Sequence, residues 1–271
     1  MNNIAIGQYL PYDTFIHRLD PRVKLIASLI FIITIFFVET FVGYIPFVLL
    51  LAFMIVEGKI PVKSLIKSIR PLIWILLITG LINLFTTSGK TLFTIFSLTA
   101  TYEGLYKTIF MFIRIIMIVV STSVLTFTTS PMELTDGLEK LFGPLKRFGF
   151  PAGELAMMVS ISLRFIPTLF EEAQRIKMAQ MARGADFESG NIINRAKNMI
   201  PLLVPLFINS FKRSDDLATA MEARLYRIGR ERTRLNEIKM TKTDYLVLIF
   251  FILFSTVVII NFFKWRYKIF Y

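Results

Sequence analysis

Long apolar runs separated by short charged stretches set the rhythm of this chain. Between Lys24 and Gly58 the only charged residues are Glu39 and Glu57. Between Arg70 and Glu103 there is only Lys90, and between Asp244 and Lys264 there is none. A helix needs about 20 predominantly apolar residues to cross a bilayer. The runs therefore read as membrane spans over Lys24–Phe41, Val42–Val56, Pro71–Thr87, Leu105–Thr128 and Asp244–Phe263. The first two are short and need a tight turn near Gly43 and Pro46, and a single broken hairpin would fit the same residues. Residues 58–70 read as a basic connector with Lys59, Lys63, Lys67 and Arg70, and residues 86–103 as a loop charged only at Lys90 and Glu103.

Between the fourth and fifth spans the pattern changes. Leu134, Leu138, Leu141, Phe142, Leu145 and Phe148 recur at helical spacing, broken by Gly143 and Pro144. Ala152–Arg183 predicts one long helix, about 45 Å at 1.5 Å per residue. Its first half is apolar, Pro167 should kink it, and its second half is amphipathic with Glu171, Glu172, Arg175 and Lys177. Residues from Asn194 to about Arg227 repeat the design, with Pro201 and Pro205 in the apolar half. Each apolar half is only about 13 to 16 residues long, which suits a buried or interfacial helix better than a span.

Composition agrees with the membrane reading. Of 271 residues, 55% are hydrophobic, 27 are Phe and the mean hydropathy is +0.62, too apolar for an ordinary soluble domain of this size. The fold class is an all-α polytopic membrane protein of about five transmembrane helices. Three parts follow: a membrane part over 1–128, a cytoplasmic helical segment over 129–242, and a last span with its tail over 243–271.

The net charge of +12 is explained first by the cytoplasmic excess of Lys and Arg in membrane proteins. With no recognition fold in the pattern, nucleic acid is not expected as a partner. The loop between spans one and two has no basic residue and the next has four, so the second lies inside. The N-terminus is then cytoplasmic, and residues 129–242, with 18 of the 31 basic residues, lie inside as well. Lys264, Arg266 and Lys268 would fall outside, where charges after the last span weigh less. There is no Cys and one His, so disulfides are excluded and His17 lacks partners for a zinc site. The first ten residues carry no charge and more spans follow the first, which does not fit a cleaved signal peptide.

The two long cytoplasmic helices close alike. The first ends Ala179-Gln180-Met181-Ala182-Arg183-Gly184 and the second Ala220-Met221-Glu222-Ala223-Arg224-Leu225. The shared Ala-x-x-Ala-Arg recurs at a 41-residue offset, and an internal repeat points to two equivalent tasks. Small Ala residues one turn apart let a neighbour approach closely. Arg offers a planar fork of donors to carboxylates and carbonyls, so each end could plug an acidic groove on a partner. Each Arg could equally cap its own helix, with Gly184 as the residue after the cap.

With these residues in hand the chain resembles the transmembrane coupling subunit, or T component, of energy-coupling-factor (ECF) transporters. His17-Arg18-Leu19-Asp20-Pro21-Arg22-Val23-Lys24-Leu25 looks like that family's opening motif, and Ser162-Leu163-Arg164-Phe165-Ile166-Pro167 like the start of its long helix. Ala182-Arg183-Gly184 and Ala223-Arg224-Leu225 look like its two Ala-Arg motifs. Leu225 departs from the pattern, since a small residue such as Gly is common there. The next glycine is Gly229, so the second helix is expected to run further and to end differently. The resemblance implies two ABC-type ATPase subunits bound at the two Arg-bearing ends. It also implies a membrane-embedded substrate-binding S component on the apolar helix faces, and coupling helices crossing as a V or X. The substrate would be a vitamin or a metal ion, ATP would be bound by the partners with no cofactor in this chain, and the chain itself would not be an enzyme.

Other residues offer further chemistry. Arg114 sits deep in span four, and either serves function or pairs with Glu39 or helix-end carbonyls. Gly89-Lys90-Thr91 lacks the earlier Gly of a phosphate loop, because Leu84 stands there. The six Met residues 157, 158, 178, 181, 199 and 221 lie on the two long helices and either fill core or face changing partners. Asp215-Asp216 and Glu171-Glu172 are adjacent on helices and point apart, unlike a hydrolytic pair. Two rival functions, a self-sufficient secondary transporter and a membrane scaffold, stay open at this point. The first would show inverted repeats and midplane charges.

Overall fold

The structure is a computed structural model and describes residues 9–95, 98–187, 191–226 and 240–270. In chain order the elements are α1 (Phe15–Arg18), α2 (Pro21–Ile35), α3 (Ile45–Glu57), α4 (Val62–Thr86), β1 (Thr91–Ile95), β2 (Leu98–Thr101), α5 (Tyr102–Thr128), α6 (Pro131–Phe142), α7 (Ala152–Ala182), α8 (Ile192–Ala223) and α9 (Lys242–Phe270). The chain forms two compact units. One comprises α1 to α5, the start of α6 through Gly137, and α9. The other begins at Leu138 and contains α7 and α8.

Four helices are long and apolar enough to cross a membrane among the described residues: α4, α5, α7 and the Lys242–Phe262 part of α9. α7 qualifies by length and composition although it carries Arg164 and Pro167. As regular helices α2 and α3 fall short of that length. Each is extended by tighter turns, because Phe36, Phe37 and Val38 donate to the carbonyls of Ile33, Thr34 and Ile35, and a 3₁₀ turn over Val42–Tyr44 leads into α3. Asp20 to Val38 then covers about 27 Å, close to a hydrocarbon core.

α2 and α9 run side by side in the same direction. The Asp20 backbone N–H meets the Asp244 carboxylate at 2.9 Å, the Thr34 hydroxyl donates to Ser255 Oγ at 2.8 Å, and the rings of Phe37 and Phe262 lie 5.5 Å apart. A core of Phe31, Ile35, Phe47, Leu51, Met117 and Phe251 joins α2, α3, α5 and α9. Outward residues such as Trp74, Leu49 and Leu246 stay exposed, as lipid-facing positions of a spanning helix should. α4 and α5 pack antiparallel through small residues, as helices in lipid do. A Cβ on Gly80 would meet Phe112 Cζ at 2.7 Å and Thr108 Cγ2 at 2.9 Å, and one on Gly104 the carbonyls of Asn83 and Leu84 at 2.9 Å.

Two features differ from the sequence reading. The basic connector is helical from Val62 onward, and Pro71 lies inside α4 rather than starting it. Lys63, Lys67 and Arg70 recur at helical spacing, so they extend the helix beyond its apolar part. The stretch expected as a loop holds an antiparallel hairpin in which Thr91 faces Thr101 and Thr94 faces Thr99. Its β-branched composition favours strand.

Arg114 takes the helix-end option. Its guanidinium donates to the Val38 carbonyl at 2.9 Å and the Tyr44 hydroxyl at 3.3 Å, between the rings of Phe36 and Phe110. It thereby pins the turn between α2 and α3.

Candidate functional site

The opening motif builds a buried knot of charge. Asp20 caps α2 by accepting from the Arg22 backbone N–H at 2.9 Å, and its carboxylate takes the Arg22 guanidinium with contacts of 2.7 to 3.2 Å. Lys24 is 7% exposed, and its ammonium donates to the carbonyls of His17 and Thr128, each at 2.9 Å. Thr128 is the last residue of α5, so Lys24 satisfies a carbonyl that the helix leaves without a partner. Asp244 accepts from the Thr241 backbone N–H at 2.8 Å and from its hydroxyl at 2.6 Å, and its other oxygen takes Asp20 N–H. One cluster thus ties together the starts of α2 and α9 and the ends of α1 and α5.

His17 extends the knot. Its Nδ1 lies 2.7 Å from the Thr14 hydroxyl, Tyr9 and Tyr12 pack edge-on to its ring, and Nε2 is buried with no hydrogen bond of good geometry among the described residues. Burial, aided by the Lys24 charge, holds its pKa below the usual 6.5. The nearby Asp13–Arg18 pair, at 2.6 and 2.7 Å, is exposed. Its hydrogen bonds lower the Asp13 pKa and raise that of Arg18.

α7 and α8 form an antiparallel pair. Tyr226 Oη lies 2.8 Å from Met157 Sδ, and Arg213 sits 5.9 Å over the Phe165 ring. Asn209 and Arg213 meet the Glu172 carboxylate at 2.6 and 3.2 Å, and Asn198 donates to the Asp186 carbonyl at 2.6 Å. Partner numbers fall along one helix as they rise along the other. Glu172 is therefore held across the pair, whereas its neighbour Glu171 stays exposed beside Arg175 at 4.0 Å.

The two helix ends have the same hydrogen-bonded form. At the first, Gly184 N–H donates to Met181 O at 3.0 Å and Ala185 N–H to Gln180 O at 3.0 Å. At the second, Leu225 N–H donates to Glu222 O at 2.8 Å and Tyr226 N–H to Met221 O at 3.0 Å. Both are Schellman turns. The residue after each Arg is left-handed, Gly184 at φ 87° and Leu225 at φ 58°. The second helix therefore does not run on as expected from Leu225. It stops at Ala223, with Leu225 accepting a conformation that costs an L-residue roughly 1–2 kcal/mol. Arg227 and Gly229 lie outside the described residues.

Ala182, Arg183, Gly184, Ala223, Arg224 and Leu225 are all exposed, Leu225 at 81%. Neither Arg has an ion-pair partner among the described residues. The antiparallel register sets Arg183 near the α7–α8 connection and Arg224 beside the start of α7. Their axial separation is on the order of 35 Å at 1.5 Å per residue.

The opening motif is visible in the sequence, but the role of each of its residues is not. Thr241-x-x-Asp244 was open to reading as a capping pattern, as was Ser130-x-x-Glu133, where Glu133 Oε2 accepts Ser130 N–H at 3.0 Å and Ser130 Oγ accepts Glu133 N–H at 3.2 Å. The groups that Lys24 reaches carried no such signal.

Comparison with known proteins agrees with this architecture. A family model described as cobalt transport protein (CbiQ) matches residues 13–235. The chain is 52% identical to the energy-coupling factor transporter transmembrane protein EcfT of Thermosediminibacter oceani, over 90% of this chain and 92% of the relative. It is 50% identical to the protein of that name from Clostridium kluyveri, over 91% and 92%, and 47% identical to that from Acidaminococcus fermentans, over 98% of each chain.

Proposed function

This chain belongs to the family of energy-coupling factor transporter transmembrane proteins, and we propose that its two Arg-bearing helix ends are where two ABC-type ATPase subunits engage it. The observation that carries the reading is the matched pair of Schellman turns, each presenting an exposed Arg with no ion-pair partner among the described residues. A helix that ends in a fixed turn holds its last side chains in one place. An Arg held there offers a carboxylate-lined groove two parallel donors at little ordering cost. The separation of the two ends favours two separate grooves over one.

The motion follows from the same geometry. ATP is bound by the partners, and closure of the ATPase pair shifts both grooves. The helices transmit that shift along their length, with Glu172, Asn209 and Arg213 holding them at mid-length. Apolar residues left exposed on α7 and α8, among them Met158, Ile166, Phe170, Val204, Phe207 and Phe211, receive a membrane-embedded S component that carries a vitamin or a metal ion. The subunit is non-catalytic, lies in the cell membrane, and keeps its N-terminus and α7–α8 on the cytoplasmic side. Self-sufficient transport is less well supported, because the deep charge Arg114 is already bound to Val38 and Tyr44.

The test is double charge reversal, Arg183→Glu with Arg224→Glu, in the membrane complex. Loss of co-purifying ATPase and of uptake, with the membrane part still folded, is expected. Normal assembly and transport would refute the reading.

A further inference from the structure

Phe142–Phe150 joins α6 to α7 and takes no part in the coupling role above. Gly143–Phe148 is a 3₁₀ helix, closed by Gly149 at φ 81°. Phe150 N–H returns to the Leu145 carbonyl at 3.3 Å, and the Phe142 and Phe150 rings meet edge to face at 5.7 Å. The segment is therefore a folded element.

Every residue from Phe142 to Phe150 is exposed, and Phe148 is exposed to 89%. A 3₁₀ helix has three residues per turn, so residues i and i+3 eclipse. Leu145 and Phe148 accordingly share one apolar stripe of the 3₁₀ helix, and Phe142, the residue before that helix, adds an exposed ring beside Phe150. Lys146 and Arg147 lie on the stripes beside it, and no acidic residue occurs between Lys140 and Glu154. Open apolar side chains next to unopposed cations are the composition of an interfacial membrane anchor.

We propose that this segment is a lipid-binding element: its Phe-Leu stripe enters the bilayer interface while Lys146 and Arg147 hold anionic phospholipid headgroups. Charge complementarity selects lipid over an apolar protein groove, which would leave two cations desolvated and unpaired. Chain connectivity limits how far the segment can lie from the membrane part. α6 starts three residues after the last residue of the spanning helix α5, and its 12 residues extend about 18 Å. The proposal requires only that the chain sits in a membrane, and it stands whether or not the helix ends bind ATPases.

The chain has no cysteine, so one introduced cysteine takes a label at one site. Full-length Leu145→Cys carrying a spin label is reconstituted into vesicles of phosphatidylcholine, alone or with phosphatidylglycerol. Accessibility to oxygen and to a water-soluble nickel chelate is then measured. In the anionic vesicles the label reads oxygen-accessible and nickel-protected, while a label at Asp215→Cys reads as water-exposed. Adding Lys146→Gln and Arg147→Gln lowers the partitioning equilibrium by about thirtyfold, since each cation near an anionic surface is worth about 1 kcal/mol. Phe148→Ser lowers it independently. Three results overturn the proposal: nickel access in anionic vesicles, immersion that ignores both the lipid charge and the two cations, or protection from both reagents, which means protein covers the segment.

Discussion

The opening motif and the two helix ends both carry basic side chains, three within Arg18–Lys24 and one at each helix end, and the structure uses them in opposite ways. Around Asp20, Lys24 and Asp244 the charges are buried, and each meets a backbone group or an opposite charge. At Arg183 and Arg224 the charges are exposed on closed turns and meet nothing within the described residues. A buried charge left unpaired is expensive, so the first set works as structure. An exposed charge on a rigid end costs almost nothing to keep free, so the second set is available to a partner. The same residue types therefore give different consequences when they are removed.

The largest effect is expected at the knot. Lys24→Met leaves the carbonyls of His17 and Thr128 without their donor and costs about 3 kcal/mol. A sharply lower thermal midpoint and loss of the monodisperse detergent-solubilised peak would follow. An unchanged midpoint would mean that the knot is not structural. Gly104→Val comes next. Its Cβ would press on the carbonyls of Asn83 and Leu84 and cost about 2 kcal/mol as overpacking, read in the same unfolding assay.

A smaller contrast is set by pH. His17 has a folded pKa below 6.5 and is kept neutral by burial. The unfolded chain therefore binds its proton first as the pH falls. His17 stabilises the fold fully above pH 6.5, and that stability is lost as the pH drops below 6.5 toward the folded pKa. Thermal midpoints across this range should fall on acidification, and His17→Gln should flatten the slope. A further small effect is at the second helix end, where Leu225→Gly relieves the left-handed conformation and stabilises by about 1 kcal/mol or less. Arg183→Ala and Arg224→Ala should leave the midpoint within about 0.5 kcal/mol, in contrast to Lys24→Met.

Legibility in the sequence followed the range of the interactions. α7 was read as Ala152–Arg183 and ends at Ala182, because periodicity and Gly184 are local signals. The end of α8 was misjudged because Leu225 is an unusual residue for a left-handed turn, and the hydrogen bonds from Leu225 and Tyr226 hold it there regardless. The hairpin at Thr91–Thr101 was missed because two flanking spans made its uncharged stretch look like a plain connection. The basic connector expected over residues 58–70 is helical from Val62, because charge limits the apolar part of a span but a helix can outrun it. The pairing of Asp20 with Asp244 joins residues 224 positions apart, and no local pattern encodes it. At the candidate site the Ala-Arg pairs 182–183 and 223–224 are legible as a repeat, with Leu225 standing where the first end has Gly184, but their opposite placement on an antiparallel pair is not.

The most direct test places a photo-crosslinking amino acid at Ala182 in one variant and at Ala223 in another, within the intact membrane complex. The account predicts that each position captures an ATPase subunit, and that the same group at Asn209, near the middle of α8 and bound to Glu172, captures none. Capture from neither end, or from only one, would contradict a two-ended coupling device.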